Sequence, residues 1–432
     1  MELLLVTALA ALTRLWALFS PHAVVFDEVH TLRFVRAYLT GTPYFDVHPP
    51  LAVQLFALVA RLLGVDAAAI DAGAPVAMRI LPALVGTLLV PLVWLLVRRA
   101  GGSRRAAFLG AALVALDNAM VVQSRFMLPD VLLVAFGIAA VVTWLGGRAA
   151  AGDASGDAPP VRWVRLVGAG VLAGMAMAVK WTGLSALGLI VAVELWEGVR
   201  GRRRLRAAIW RALATGAAAV TTYLLVFAVH LHRFAGSGGF FPRLLRLHEA
   251  MLAGDRELEG ARHFYSSPWY SWPLLVRPIH YWMESPDAQG RAADIYLLGN
   301  PLIWWGSTVT VLLYLVSRTR RREPGAGGAD LMAAGWAINV LPFAAIARLM
   351  YLYHYLHALT FAIALGALWL GARLAWRDDE PTWRLSRAPR DLAFWGILAA
   401  ALVLFLFFAP VTYGWRLSPA ALQLRLWLPG WG

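Results

Sequence analysis

The chain has 432 residues, of which 60% are hydrophobic and 15% charged, with a mean hydropathy of +0.63 and a formal net charge of +14. So apolar a composition excludes an ordinary soluble protein and marks an integral membrane protein. The positive charge lies in short clusters between apolar segments and forms no continuous basic face, which excludes nucleic acid as a partner, and the absence of cysteine excludes disulfides, thiolate metal sites and thiol redox chemistry.

Apolar runs approaching the ~20 residues that a helix needs to cross a bilayer recur along the chain. They lie at 2–20, 75–97, 106–123, 131–146, 163–180, 183–199, 207–230, 300–317, 331–347, 351–371 and 393–413. The pattern predicts an all-α multi-spanning membrane protein with eleven transmembrane helices. The first run lacks a cationic start and carries Arg14, so it reads as a retained helix and not as a cleaved signal peptide. Residues 51–63 (LAVQLFALVARLL) are amphipathic and are expected to lie along the interface.

Arginine clusters occupy alternate loops: Arg98, Arg99, Arg104 and Arg105; Arg148, Arg162 and Arg165; then 200–206, 318–322 and 373–390. The positive-inside rule makes these loops cytoplasmic. The N-terminus is then inside, and the segment 21–74, the loop 231–299 and the C-terminus are outside. Flexible cytoplasmic linkers are expected at 151–160 (AGDASGDAPP) and 322–330 (REPGAGGAD). With neither an internal repeat nor a separate soluble domain, residues 1–432 read as one membrane domain. In the larger external loop, Trp269, Trp272, Tyr281 and Trp282 suit the headgroup boundary.

Chemistry concentrates between Phe26 and Leu51, FDEVHTLRFVRAYLTGTPYFDVHPPL, which packs Asp27, Glu28, His30, Asp46 and His48 into one short segment. Adjacent side chains on a helix or strand point in different directions, so one of Asp27 and Glu28 can do chemistry while the other holds structure. Pro49 and Pro50 make the end of the segment a rigid extended turn. A bland polar loop is the competing reading. A divalent metal held by Asp27, His30, Asp46 and His48 is another, although their spacing matches no compact site.

More ionisable residues lie at the outer ends of the apolar runs: Arg79, Arg125 with Asp130, Lys180 (the single lysine) and His354. Charges at such depth need partners. Carboxylates facing cations suit a lipid-phosphate sugar donor, with the cations stabilising the phosphate while a carboxylate takes the acceptor proton. Structural readings stand beside this one: an Arg125–Asp130 pair at a turn, a snorkelling Lys180, and an aromatic belt around His354 and His357.

The opening segment resembles the first external loop of the protein O-mannosyltransferases. The resemblance continues in MRILPALVGTLLVPLVW (78–94), LDNAMVVQSRFMLPD (116–130), GMAMAVKWTGL (174–184), HFYSSPWYSWPLLVRPIHYW (263–282), GNPLIWW (299–305) and YLYHYLHAL (351–359), in the family's order. It implies a GT-C fold that transfers mannose, with inversion, from polyprenyl-phosphate mannose to Ser or Thr of a translocated polypeptide. A divalent metal is not favoured as a cofactor, and the expected surroundings are a bacterial plasma membrane with the secretion translocon as a partner.

On the same resemblance Asp27 is the general base and Glu28 its partner, which positions the acceptor or orients Arg79. Arg79, Arg125, Lys180 and His354 are candidates for the donor phosphate, and His30, Asp46, His48, Asp130 and Tyr353 line the pocket. The large MIR domain that eukaryotic members insert in the external loop is absent from 231–299, and His357 stands where the family often has proline. A lipid or glycan acceptor is the alternative reading, and a transporter a more distant one.

Overall fold

The computed structural model describes residues 1–73, 75–149, 160–234, 236–257, 259–260, 263–320 and 327–432. In chain order the helices are α1 (Glu2–Leu15), α2 (Glu28–Thr40), α3 (Leu51–Leu62), α4 (Ala67–Asp71), α5 (Ile80–Arg99), α6 (Arg104–Ala115), α7 (Asn118–Gln123), α8 (Asp130–Ala149), α9 (Pro160–Val179), α10 (Leu184–Val199), α11 (Leu205–Arg233), α12 (Phe240–Glu257), α13 (Pro301–Arg320), α14 (Gly327–Ile338), α15 (Leu356–Arg373), α16 (Pro389–Tyr413) and α17 (Pro419–Gln423). Strands β1 (Ile279–Glu284), β2 (Ala292–Leu297) and β3 (Arg416–Leu417) form a small antiparallel sheet in that order. The sequence reading contained no strand. Of the expected linkers, residues 151–159 and 322–326 lie outside the described residues, whereas 327–330 open α14.

All eleven apolar runs are helical over most of their length. Among the described residues, six helices are long and apolar enough to cross a membrane: Val76–Arg99, Asp130–Arg148, Trp181–Val199, Leu205–Arg233, Leu352–Arg373 and Pro389–Tyr413. The chain is a multi-pass membrane protein. Several of the other runs are interrupted for identifiable reasons. The run expected at 106–123 breaks at Asp117, which is fully buried. Its Oδ1 caps α7 by accepting the Met120 N–H at 2.9 Å, and its Oδ2 accepts the Asn300 N–H at 3.0 Å and the Trp304 indole N–H at 2.8 Å. A side-chain oxygen that satisfies an orphan helix N–H is what an N-cap supplies. The run at 331–347 stops at Ile338, and Pro342 opens a 3-10 turn over Leu341–Ala345 because proline has no N–H to continue the helical ladder.

The Asp117 carboxylate holds three donors, so Asp117→Ala leaves all three unsatisfied in a dry interior and is expected to destabilise the fold by on the order of 3 kcal/mol or more. Thermal unfolding in detergent measures this, and an unchanged midpoint would contradict it.

The chain folds as two compact units, Met1–Val29 with Gly73–Val131 and Gly260–Gly432, and His30–Ala72 with Leu132–Glu259. In the first, α1, α5, α6, α13, α14, α15 and α16 pack around an interior that includes Trp304, Tyr355 and Phe361, all fully buried. In the second, α9 packs along α11 at close range. A Cβ on Gly170 or Gly174 would collide with the backbone oxygens of Thr215 and Ala219, so small residues permit the helix approach that dispersion stabilises in a membrane. The expected interfacial helix is α3. Its Phe56 and Ala60 face is fully buried, and it packs on α9.

Candidate active site

The first unit gathers Asp27, Glu28, Arg79, Arg125, Asp130, Tyr353 and His354. Glu28 opens α2 and is fully buried. Its Oε1 accepts Arg79 Nε at 2.9 Å and the Met127 N–H at 3.0 Å, while Oε2 accepts Arg79 Nη2 at 2.7 Å and the Val25 N–H at 2.9 Å. The forked geometry of guanidinium suits such a two-point pair. Arg79, equally buried, also donates to the Pro21 and Ala23 carbonyls, both at 2.7 Å, and its guanidinium carbon lies 4.8 Å from the Phe126 ring centre.

Arg125 is likewise turned inward. It donates to the carbonyls of Trp16, of Ala17 at 2.7 Å and of Ser20 at 3.3 Å, and it stacks over Tyr413 at 4.6 Å. The two arginines expected against a donor phosphate therefore direct their N–H groups to Glu28 and to the carbonyls of the 16–23 turn. The physical reason is burial: the turn presents carbonyls that need donors in a dry interior.

Asp27 is half-buried, between Phe26 and Glu28. Its charge acts on Tyr281, Tyr351 and Tyr353. The Tyr281 phenol is pushed well above its ordinary range by burial first, with Asp130, Tyr353 and Asp27 adding to the effect. Asp130 opens α8 and accepts the Gln123 side-chain amide at 3.0 Å, and Gln123 in turn accepts the Tyr281 hydroxyl at 2.9 Å. His354 makes a reciprocal cap with Tyr351, its Nδ1 lying 2.9 Å from the Tyr351 carbonyl, and its ring stacks on Tyr353 and Trp272 with centroids 4.7 and 5.7 Å away.

Two of the aromatics expected at the headgroup boundary are interior residues: Trp272 is fully buried and Tyr281 is 4% exposed. Tyr281, Tyr351 and Gln123 were missed as site residues. The usable signal was that Gln123 and Tyr281 fall inside the same motif blocks as Asp130 and Trp282.

The second unit gathers His30, Asp46, His48 and Lys180. Asp46 Oδ1 accepts the His48 N–H at 3.0 Å. Burial raises the Asp46 carboxyl to about 6, against the opposing pull of the His48 N–H, Lys180 and His30. Asp46 and His48 line a small cavity with Tyr44, Pro50, Phe227 and His230. Tyr38 braces its wall, with its hydroxyl 2.7 Å from His230 Nδ1. Lys180, 7% exposed, stands where α9 ends and α10 has not begun. Lys180 itself is extended at the break, and the turn that follows packs so closely that a Cβ on Gly183 would strike the Ala176 backbone. Among the described residues no group of three or more His, Asp or Glu is placed to hold a metal ion.

Folds of this kind are found among membrane glycosyltransferases. The chain aligns over its full length, and over 92% of the other chain, with the Saccharomyces cerevisiae protein O-mannosyltransferase Pmt1-Pmt2 complex bound to the sugar donor, at a TM-score of 0.87 and 19% identity. It aligns over 95% of its length, and 76% of the other chain, with ArnT from Cupriavidus metallidurans at a TM-score of 0.58 and 17% identity. The architecture is the GT-C fold.

Sequence comparison narrows the class. A model of the dolichyl-phosphate-mannose-protein mannosyltransferases matches residues 4–235, and one of the C-terminal four-transmembrane region of protein O-mannosyltransferases matches residues 240–431. The polyprenol-phosphate-mannose–protein mannosyltransferase of Mycolicibacterium smegmatis is 28% identical over 489 aligned positions, covering 99% of this chain and 92% of the relative. The chain belongs to the dolichyl-phosphate-mannose-protein mannosyltransferase family.

Proposed function

We propose that this enzyme transfers mannose from a polyprenyl-phosphate mannose donor to Ser or Thr hydroxyls of a polypeptide, with inversion, and that Asp27 is the general base. Family membership and the name of the M. smegmatis relative support the reaction. The observation that carries the assignment of Asp27 is the contrast with its neighbour. Glu28 has four hydrogen bonds and no exposure, so its carboxylate is committed to structure, whereas Asp27 is half-buried beside a cluster of tyrosines.

In the proposed step the acceptor oxygen forms a bond to the mannose anomeric carbon as the bond from that carbon to the phosphate oxygen breaks. The hydroxyl proton passes to Asp27 and polyprenyl phosphate leaves with one more negative charge. A hydroxyl is too weakly acidic to ionise first, so proton transfer accompanies bond formation. The leaving charge needs a cation, and neither Arg79 nor Arg125 is spare for that task, because both are engaged with protein carbonyls or Glu28. Glu28 and Arg79 act by holding the backbone that bears Asp27. The alternating arginine clusters support an inside N-terminus and an outward-facing first loop in a bacterial plasma membrane.

Incubation of the purified protein with radiolabelled polyprenyl-phosphate mannose and a Ser/Thr-rich peptide tests the reaction. Label on the peptide hydroxyls is expected; label confined to a lipid or glycan fraction would overturn the acceptor assignment.

The second unit supplies a pH test. Lys180 favours the Asp46 carboxylate, so Lys180→Ala removes that pull and moves the Asp46 titration above about 6. Below its pKa Asp46 is neutral, and the carboxyl band followed by difference infrared spectroscopy, with Asp46→Asn to assign it, is expected to titrate at higher pH in the variant. An unmoved titration would contradict the influence of Lys180 on Asp46.

A further inference from the structure

Asp27 is flanked by two residues that are held from different directions, Glu28 by its side chain and Phe26 by its backbone and ring. On one side Glu28 is fixed by Arg79 and by the Val25 and Met127 N–H groups. On the other, Phe26 has a φ of +50°, in the left-handed region where a side chain with a Cβ is disfavoured. Such a conformation persists only where the surroundings impose it.

What imposes it comes from the loop between α12 and α13. The Phe26 N–H donates to the Tyr281 carbonyl at 3.1 Å, and the two rings stack with centroids 4.2 Å apart and planes 7° from parallel. Tyr281 can offer both because it is the bulged residue of β1. His280 pairs with Tyr296 and Trp282 with Ile295, leaving Tyr281 without a cross-strand partner. A bulge of this kind re-aims a side chain and releases its backbone groups from the ladder.

The Tyr281 ring is itself pinned. Its hydroxyl donates to Gln123 Oε1 at 2.9 Å, and Gln123 Nε2 donates to Asp130 at 3.0 Å. With a donor on one side and a carboxylate on the other, the Gln123 amide has one satisfactory orientation. Gln123 and Asp130 lie at the end of α7 and the start of α8, and the connection between them carries Arg125, Phe126 and Met127. The same short stretch therefore anchors the support of Phe26 and the support of Glu28.

We propose that Tyr281 is a positioning residue for the transfer reaction: through Phe26 it fixes the backbone that presents Asp27, and so sets the reach of the base toward the acceptor hydroxyl. This rests on the reading of Asp27 as the base. A displacement of about 1 Å in a reacting group costs on the order of 10²-fold in rate. Misplacing the base lowers kcat and leaves donor binding intact, whereas a merely structural residue would change both together.

The test uses the purified full-length protein in three variants: Tyr281→Leu, which removes the stack and the hydroxyl; Phe26→Leu, which removes the stack without touching the hairpin; and Tyr281→Phe, which keeps the stack. Tyr281→Leu and Phe26→Leu are expected to lower kcat by about tenfold or more, with the KM for polyprenyl-phosphate mannose within about twofold of wild type. Tyr281→Phe is expected to stay within about threefold of wild-type kcat. If Tyr281→Leu does not fold, Phe26→Leu carries the test. Wild-type kcat in Phe26→Leu, or a donor KM that rises by the factor by which kcat falls, would overturn the proposal. Asp27→Asn measured alongside separates the two readings. Loss of turnover there with normal kcat in the other variants ends the role of Tyr281 alone, and retained turnover in Asp27→Asn ends the base assignment on which it rests.

Discussion

Replacement of Asp27 by Asn is expected to lower turnover on a Ser or Thr acceptor by about 10²- to 10⁴-fold, the range that a positioned general base contributes. The substitution is nearly isosteric and removes the proton-accepting charge. None of the hydrogen bonds that fix Glu28 depends on the Asp27 side chain, so thermal stability and the donor KM should remain those of wild type. Steady-state kinetics with both substrates varied checks this. Wild-type turnover in the variant would remove Asp27 from the base role.

The second large effect belongs to the buried pair. Arg79→Ala leaves Glu28 with the Val25 and Met127 N–H groups alone, in a site with no solvent exposure, and releases the Pro21 and Ala23 carbonyls. Breaking a buried ion pair by removing one partner costs about 3–5 kcal/mol, and here the loss also frees the turn that leads into Asp27. Arg79→Lys is not expected to rescue it, because an ammonium cannot span both Glu28 oxygens and two carbonyls at once. The expected result is a large fall in both melting temperature and kcat. A variant that folds normally and shows only a raised donor KM would instead identify Arg79 as a phosphate contact.

Much of this was legible in the sequence, and the exceptions have physical causes. Apolar length and spacing locate helices well, so every expected run is helical. Periodicity does not register that a single buried polar residue can end a helix, and Asp117 does so because Asn300 and Trp304, distant in sequence, bring donors to it.

The acidic pair was conspicuous as charge in an apolar chain, and its division of labour followed from adjacent side chains pointing apart. The occupancy of Arg79 and Arg125 was not legible, since a cation near a carboxylate reads alike whether it faces a ligand or the protein's own carbonyls. Tyr281 was hidden for a related reason. An aromatic residue in an external loop suits the bilayer interface, and only the strand register reveals that a bulge turns it inward onto Phe26. Strand β2 in particular shows no in–out alternation, because Ala293–Leu297 is buried at every position.

If Asp27 serves to take a proton, a nucleophile that carries none should not need it. The direct measurement is product formation by Asp27→Ala from polyprenyl-phosphate mannose, with and without added azide, an anion that can enter the space left by the carboxylate and attack the anomeric carbon unaided. The account predicts loss of peptide mannosylation together with azide-dependent formation of mannosyl azide and release of polyprenyl phosphate. Peptide mannosylation at the wild-type rate, or a folded variant that binds donor and yields no mannosyl azide, would contradict it.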